Sequence, residues 1–282
     1  MRAASEAEVV DIVRGAREHR RTLEILGGGT RRSFGRPTAC DDTLDLSGLT
    51  GIVTYEPEEL ILTVKPGTPL DEIEALLAAK NQRLGFEPQD WRALLGSTGT
   101  PTIGGAICAN ADGPAAMRFG RARDHLLGFR AVNGFGEAYK AGGRVVKNVT
   151  GFDLPKLMCG AMGTLGPLTE LTFRVFPKGP FKIFAAALSP DVLNKVAASP
   201  LEATALLHAD GRAYVRLEGA LAEKTAMLMR FGDFVEADAL PGAVLPQPAA
   251  PEPPARARLT RAVKAAFDPL GLFNPGRLFE GL

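Results

Sequence analysis

Residues 96–114 read GSTGTPTIGGAICANADGP, and this central segment decides the fold of the chain. Its glycines, prolines and small hydroxyl residues do not suit a long regular element, and glycine lets a ligand approach the main chain closely. Two more glycine-rich segments flank it, GGGT at residues 27–30 and GAMGTLG at residues 160–166. Each lies beside a strand-like run, so the pattern predicts one extended, phosphate-bearing ligand that is held at several points.

Length and composition are those of an ordinary globular protein. The chain has 282 residues, of which 45% are hydrophobic and 23% are charged, and this is enough for one large or two smaller domains. With 33 basic and 32 acidic side chains, the formal net charge of +1 does not indicate a nucleic-acid surface. We find no signal-peptide core and no apolar run of about 18 residues. We therefore expect a cytoplasmic protein, with peripheral attachment to the inner membrane through partners left open.

The cysteines and histidines are too few and too scattered to predict a metal site or a cluster. Cys40, Cys108 and Cys159 form no CxxC pair. They are expected to be reduced thiols, with neither an iron–sulfur cluster nor a cysteine zinc site. The three histidines are equally far apart, so we expect no histidine-based metal site.

The first glycine turn, residues 27–30, directly follows a predicted strand at residues 22–26. Successive backbone N–H groups in such a turn can form an anion-binding nest, and a plain tight turn is the alternative. The turn is not a Rossmann fingerprint, because no helix with an apolar period follows it. A P-loop is also absent, since no glycine–lysine–serine or glycine–lysine–threonine sequence occurs.

Hydrophobic periodicity predicts a chain of mixed helices and strands. The turn dipeptide Asn133-Gly134 predicts a tight hairpin, and the proline-rich residues 241–254 predict a linker. We expect Thr68 to cap a helix that begins with Pro69. The predicted helices are residues 5–20, 69–77, 153–158, 192–198, 220–230 and 256–267. The predicted strands are residues 22–26, 43–49, 52–55, 60–64, 126–132, 135–140, 168–176, 181–188 and 212–217.

Three arginines, Arg118, Arg121 and Arg123, follow the central segment closely. A solvated surface is the favoured interpretation, because exposed charges are common and contribute little individually. A docking patch or a neighbour of a pyrophosphate is the alternative.

Taken together, these segments resemble the FAD-linked oxidase family, whose PCMH-type flavin domain is shared by vanillyl-alcohol oxidase and p-cresol methylhydroxylase. The matching pieces are GGGTRRSFG at 27–35, PTIGGAICANADGP at 101–114, GAMGTLGPLTELTFRV at 160–175 and FDPLGLFNPGR at 267–277. Each piece alone is weak, but their order and spacing together are specific. Within the family, GRVVKNVTGFD at 143–153 resembles the FAD-binding E subunit of glycolate oxidase.

The resemblance implies an α+β fold with a PCMH-type FAD-binding domain made of two subdomains. That domain would cover residues 1–178, and a reduced α+β cap domain would cover residues 179–240. A proline-rich linker would follow at residues 241–255. Residues 256–282 would form a C-terminal helix and a tail that returns to pack on the FAD-binding domain.

The resemblance also implies which residues bind FAD. For the pyrophosphate these are the backbone amides of Gly27, Gly28, Gly29 and Thr30. For the pyrophosphate and flavin side they are Ser97, Thr98, Ile103, Gly104, Gly105 and Asn110. For the adenosine and ribitol portions they are Gly163, Thr164, Leu165 and Gly166, and Asn274 would lie near the flavin ring. The glycine-rich turns carry no histidine for a covalent link, so FAD is expected to be non-covalent.

The implied function is that of the FAD-binding subunit of a glycolate oxidase complex, which oxidises glycolate to glyoxylate. Electrons would pass to partners, expected to be a homologous flavin subunit and an iron–sulfur subunit. Relatives that oxidise hydroxy acids hold a divalent metal with histidine and acidic ligands in the cap and C-terminal region, where this chain has only His208. The sequence does not identify a catalytic base. Two alternatives stay open. One is a self-sufficient FAD-dependent oxidase or dehydrogenase of another small hydroxy acid or alcohol, and the other is a non-catalytic flavin-fold scaffold subunit.

Overall fold

The computed structural model describes residues 1–143, 153–243 and 254–279. Most of the run at 143–153 that resembles the glycolate oxidase E subunit lies outside these residues. The helices are α1 (Glu6–Glu18), α2 (Leu70–Ala78), α3 (Arg92–Leu95), α4 (Ile103–Ala109), α5 (Ala116–Phe119), α6 (Ala122–His125), α7 (Leu154–Met158), α8 (Asp191–Ala197), α9 (Leu221–Leu228) and α10 (Pro254–Phe267). The strands are β1 (Leu23–Leu26), β2 (Asp42–Asp45), β3 (Ile52–Glu56), β4 (Ile61–Val64), β5 (Gln82–Arg83), β6 (Leu126–Val132), β7 (Ala138–Gly142), β8 (Leu168–Arg174), β9 (Phe176–Pro177), β10 (Phe181–Ala186), β11 (Ala205–Ala209), β12 (Arg212–Glu218) and β13 (Val235–Ala237).

An antiparallel sheet of five strands, in the order β3-β4-β8-β6-β7, carries the largest hydrophobic core. Helix α2 contributes Ile73 and Leu77 to this core, and α4 contributes Ile107. These side chains are fully buried together with Phe173 of β8. Burial of such apolar area is the main favourable term in folding, and it packs both helices into one core with the sheet.

The N-terminal unit is built on the parallel pair of β1 and β2. Helix α1 is capped by Ser5, whose hydroxyl accepts a hydrogen bond from the backbone N–H of Glu8. Its buried Val9 packs in one cluster with Phe273 from the C-terminal tail. Glu6 of α1 also accepts two hydrogen bonds from the Arg130 guanidinium of β6, at 2.6 and 2.9 Å, and so connects this unit to the larger sheet.

A second antiparallel sheet, in the order β11-β12-β10-β13, has a separate hydrophobic core with α8 and α9. Two largely buried arginines connect it to the rest of the chain through ion pairs. Arg216 of β12 donates to the Glu87 carboxylate at 2.7 and 2.8 Å, and Arg83 of β5 donates to Glu218 at 2.6 Å. Burial raises the pKa of Glu87, but the hydrogen bonds and charge of Arg216 outweigh burial and leave the pKa below its usual value. The division into domains at the predicted bounds stays a prediction.

A buried ion pair fastens the C-terminal tail. The Lys264 ammonium of α10 donates to the Asp268 carboxylate at 2.5 Å and to the carbonyl oxygens of Thr164 and Phe273 at 2.6 and 2.9 Å. Burial lowers the pKa of Lys264, and the charge of Asp268 opposes this shift. The pair therefore joins the last helix, the tail and the third glycine segment, residues 160–166.

The connection between β6 and β7 is longer than predicted. The expected two-residue turn at Asn133-Gly134 is wrong, because β7 begins only at Ala138. The Asn133 side-chain oxygen accepts hydrogen bonds from the backbone N–H groups of Phe135 and Glu137. Since these bonds hold the chain in a wider turn, residues 135–137 do not join the strand.

Thr68 does not cap α2, contrary to the prediction. The helix begins after Pro69, without a side-chain cap. The buried Thr68 hydroxyl instead donates to the carbonyl oxygen of Lys65 at 2.7 Å and accepts from the Gly51 N–H at 3.0 Å. It therefore fixes the turn that precedes the helix.

The three arginines after the central segment are each paired with a carboxylate. The pairs are Arg118–Glu202 at 2.5 Å, Arg121–Asp112 at 2.6 Å and Arg123–Asp124 at 3.8 Å. Their side chains are about half exposed, so this surface agrees with the solvated interpretation.

None of the helices among the described residues has the length and apolar character needed to cross a membrane. The same residues contain no group of three or more histidine, cysteine, aspartate or glutamate side chains suited to hold a metal ion.

Replacing Glu87 by Gln should weaken the contact between the second sheet and the rest of the chain. Arg216 is 6% exposed, so its buried cation would lose its anionic partner. The Glu87 side chain is 36% exposed, so water can hydrate the new amide. We expect the free energy of unfolding, measured in urea, to fall by about 1–3 kcal/mol. The matched control is Glu236→Gln, which removes the exposed ion pair with Lys182 and should cost less than about 1 kcal/mol. Equal losses would contradict the stabilising role of Glu87.

Replacing Lys264 by Met should destabilise the tail strongly, because Asp268 is 2% exposed and would be left as a buried carboxylate without a cation. We expect a loss of about 3 kcal/mol or more in the free energy of unfolding. Arg261→Met is the control, since it removes an exposed cation from the same helix and should change stability by about 0.5 kcal/mol or less. If the Lys264 and Arg261 variants unfold at the same urea concentration, the buried pair does not hold the tail.

Candidate functional site

A cleft opens where the three glycine-rich segments meet. Its empty space is about 810 Å³ when counted out to open solvent. Its walls come from β1 and the residues after it, the start of α4, the third glycine segment and the C-terminal tail. The lining residues are Glu24, Ile25, Leu26, Gly27, Gly28, Gly29, Thr30, Arg31, Arg32, Leu46, Pro66, Thr102, Gly104, Gly105, Cys108, Ala109, Met162, Gly163, Gly166, Leu168, Asn274 and Arg277.

The first glycine turn presents a row of unused hydrogen-bond donors to this cleft. Across the described ranges, no protein acceptor takes the backbone N–H groups of residues 27–31. Consecutive backbone N–H groups without a protein acceptor can form a concave anion site. The turn can therefore donate several hydrogen bonds to an anion.

The first glycine turn crosses the central segment with the two main chains in contact. A Cβ atom on Gly28 would lie 1.6 Å from the carbonyl oxygen of Thr100, and one on Gly99 would lie 1.8 Å from the carbonyl oxygen of Gly28. No side chain fits either gap, so only glycine allows this approach. The Ser97 hydroxyl closes the crossing by donating to the carbonyl oxygen of Thr30 at 2.9 Å.

The central segment contains a short helix, α4, which the sequence analysis did not predict. Thr102 caps it by accepting a hydrogen bond from the Gly105 N–H at 3.3 Å. Ile103 and Ile107 are fully buried, so apolar packing outweighs the poor helix propensity of the glycines. The helix brings Gly104 and Gly105 to the wall of the cleft.

The third glycine segment is tied to α4 through the main chain. The N–H groups of Gly160 and Met162 donate to the carbonyl oxygens of Ile107 and Cys108, at 3.0 and 2.9 Å. Gly163 has a φ of +73°, and a Cβ atom there would lie 2.6 Å from the Asn274 amide nitrogen. The segment can therefore lie against the tail only with glycine at this position.

Asn274 connects three separate parts of the cleft wall. Its side-chain nitrogen donates to the carbonyl oxygen of Met162 at 2.6 Å, and its side-chain oxygen accepts from the Ile25 N–H at 2.9 Å. Its own N–H donates to the carbonyl oxygen of Leu23 at 3.0 Å. The tail residue therefore holds β1 and the third glycine segment together.

The structure places part of the predicted ligand contacts on the cleft wall. These are Gly27, Gly28, Gly29, Thr30, Gly104, Gly105, Gly163, Gly166 and Asn274. Ser97 and Thr98 lie beside the crossing, and Asn110 ends α4. Ile103, Thr164 and Leu165 are buried in the interior. The role of each of these residues in binding stays a prediction.

The sequence analysis missed the arginines of the cleft. Arg277 donates from one guanidinium nitrogen to the carbonyl oxygens of Arg31, Arg32 and Phe34, and so holds the chain that follows the first glycine turn. Arg32 makes two hydrogen bonds with the Glu24 carboxylate, at 2.6 and 2.8 Å. The arginine doublet that follows GGGT was the available signal.

Arg31 has a buried guanidinium with spare donors. The residue is 8% exposed, and its Nη2 donates to the carbonyl oxygen of Gln89 at 2.7 Å. Nε and Nη1 are buried and have no hydrogen-bond partner among the described residues. Burial lowers the pKa of Arg31 to about 10, and the nearby Asp90 opposes this shift. The group therefore remains a cation at neutral pH.

The lining residues do not form an obvious acid–base pair. The carboxylate among them is Glu24, which is occupied by Arg32. Burial raises the pKa of the Cys108 thiol to about 11, which keeps it protonated and unreactive near neutral pH. This part of the cleft is therefore suited to hold an anionic ligand rather than to exchange protons with it.

Known proteins that are similar to this chain include FAD-binding domains and 2-hydroxy-acid oxidoreductases. The FAD binding domain family matches residues 1–142, which is half of the chain. The glycolate oxidase subunit GlcE of Escherichia coli strain K12 is 35% identical over 70% of this chain and 56% of its own length. The D-2-hydroxyglutarate dehydrogenase of Xanthomonas citri pv. viticola is 35% identical over 69% of this chain and 40% of its own length.

A solved alkyldihydroxyacetonephosphate synthase superposes with a TM-score of 0.69 over 86% of this chain and 52% of its own, at 15% identity. The expected α+β fold is therefore confirmed. This chain spans about half the length of the relatives it matches. The free amides, the glycine crossing and the buried Arg31 cation suit a dinucleotide diphosphate. The chain belongs to the FAD binding domain family, and FAD is its cofactor.

Proposed function

We propose that this chain is the FAD-binding subunit of an oxidoreductase complex that oxidises a small 2-hydroxy acid, with glycolate as the first substrate to test. The observation that carries the proposal is the cleft with its row of unused amides at residues 27–31. The substrate class follows from the similarity to a glycolate oxidase subunit and to a 2-hydroxy-acid dehydrogenase.

The chain's own residues would bind and orient the cofactor. The amides of residues 27–31 would hold the diphosphate, while Asn274 and Arg277 keep the cleft walls in place. FAD supplies the two-electron redox chemistry once it is bound. No histidine lines the described cleft, which supports non-covalent attachment.

A partner would complete the substrate site. The second sheet, β10 to β13 with α8 and α9, is small. We infer that a homologous flavin subunit supplies the missing substrate contacts and the base, and that an iron–sulfur subunit removes the electrons. The relative named as a subunit supports assembly into a complex.

A self-sufficient dehydrogenase is the second candidate. The similarity to a D-2-hydroxyglutarate dehydrogenase favours it, because that name does not describe a subunit. In this case the isolated chain would itself reduce an artificial electron acceptor with a 2-hydroxy acid.

Replacing Gly28 by Ala should abolish FAD binding, because the new Cβ atom would lie 1.6 Å from the Thr100 carbonyl oxygen and force the crossing apart. The measurement is flavin absorbance per chain after gel filtration, followed by acid precipitation. Wild-type protein should release its flavin into the supernatant. Gly15→Ala is the control: no atom lies within 4 Å of its Cβ position, and it should retain FAD with an unchanged or slightly higher stability. Retention of FAD by the Gly28 variant would argue against the proposed site.

The activity is tested by following dye reduction with glycolate, D-lactate and D-2-hydroxyglutarate. The isolated FAD-loaded chain should be inactive, and activity should appear when it is expressed together with its co-purifying partners. Turnover by the isolated chain would support the self-sufficient enzyme instead. A complex that assembles and turns over equally well with the FAD-free Gly28→Ala chain would identify this subunit as a scaffold.

A further inference from the structure

We propose that Arg31 is the cation that neutralises the diphosphate of FAD and selects FAD over uncharged flavins. The inference rests on FAD as the cofactor, and it adds a charged side chain to a turn that otherwise offers only backbone donors. The observation behind it is that Arg31 lines the cleft and that two buried nitrogens of its guanidinium have no hydrogen-bond partner among the described residues.

The position of Arg31 puts its donors beside the free amides. It directly follows the first glycine turn, and its own N–H is the last of the unused backbone donors. Its Nη1 lies 3.9 Å from the place that a Cβ atom on Gly105, another lining residue of the cleft, would occupy. The guanidinium and the backbone donors of this turn therefore belong to the lining of one cleft, and such a combination of donors can recognise phosphate oxygens.

The neighbours of Arg31 do not use its capacity. The guanidinium carbon lies 5.2 Å from the Trp91 ring centre, and the carbonyl oxygen of Gln89 takes one donor. Asp90 is near enough to affect its pKa, but the hydrogen bonds of that carboxylate go to Arg92, at 2.7 to 3.1 Å. A buried charge without a full set of partners is costly for the protein alone. Such a group is best explained by an anion that arrives with a ligand.

The other arginines of the cleft are already occupied. Arg32 is paired with Glu24, and Arg277 donates to three backbone carbonyl oxygens. Arg31 is therefore the arginine of the cleft wall with spare buried donors. An anionic substrate is the other source of such a charge, but the adjacent row of amides suits the diphosphate better than a single carboxylate.

The test compares FAD with riboflavin on the full chain, because riboflavin has the same ring and no phosphate. Both dissociation constants are measured by flavin fluorescence with flavin-free wild-type protein and with Arg31→Met. We expect FAD binding to weaken by about ten- to a hundredfold and riboflavin binding to change by less than about twofold. Arg31→Lys keeps the positive charge but not the planar set of N–H donors, and it should show a smaller loss of FAD affinity.

Two controls separate this role from a structural one. Arg36→Met removes an exposed positive charge five positions along the chain and should leave FAD affinity within about twofold of wild type. The thermal midpoint of the flavin-free Arg31→Met chain should stay close to that of wild type, since the lost Gln89 contact is offset by the removal of two unpaired donors. The increase in the thermal midpoint that FAD causes should be smaller for the Arg31→Met chain than for wild type.

Three results would overturn the inference. One is an equal loss of FAD and riboflavin affinity, and another is a flavin-free Arg31→Met chain that no longer folds while Arg31→Lys retains wild-type affinity for both ligands. The third is unchanged FAD affinity of the Arg31→Met chain, which would leave a substrate carboxylate as the anion that Arg31 meets. A wild-type chain that binds neither flavin would contradict the assignment of FAD as the cofactor, which is a different failure.

Discussion

The rest of the site depends on the main-chain contact between the first glycine turn and the central segment. At Gly28 and Gly99 the two chains approach so closely that neither position has room for a Cβ atom. This contact fixes the end of β1 against the residues that lead into α4, and among the described residues the amides of residues 27–31 have no protein acceptor. The hydrophobic cluster of α1 includes Leu23, with Ile25 packed against it, and so holds the strand that leads into the turn.

The C-terminal tail bonds to both sides of the cleft and so keeps its walls together. Asn274 bonds to β1 and to the third glycine segment, and Lys264 reaches the same segment from α10 through Thr164. These contacts form only when the tail returns to the N-terminal unit. Closing such a long loop costs conformational entropy, which the burial of apolar side chains offsets. The buried Lys264–Asp268 pair contributes the specific geometry of that return rather than a large net stabilisation.

Much of the fold was predictable from the sequence, because periodic apolar residues mark α1, β4, β8 and α10 clearly. The meeting of the three glycine-rich segments at one cleft was also predictable from their order. Helix α4 was not, since its glycines hide a helix that exists only through burial of Ile103 and Ile107. Strands β11 and β13 were missed because their apolar patterns are short and depend on pairing with β12 and β10. The state of Arg31 depends on neighbours from other segments, which the sequence does not reveal.

The described walls of the cleft are suited to binding an anion and not to transferring protons. The lining groups that could exchange protons are either occupied by a structural contact, as Glu24 is, or held in a protonated state, as Cys108 is. A general base must lie within hydrogen-bond reach of the proton that it removes, and Glu24 is already engaged by Arg32. The described lining of the cleft therefore suits an anionic cofactor but offers no free base for a substrate proton. Under the proposed function, that base would come from the second sheet or from a partner subunit.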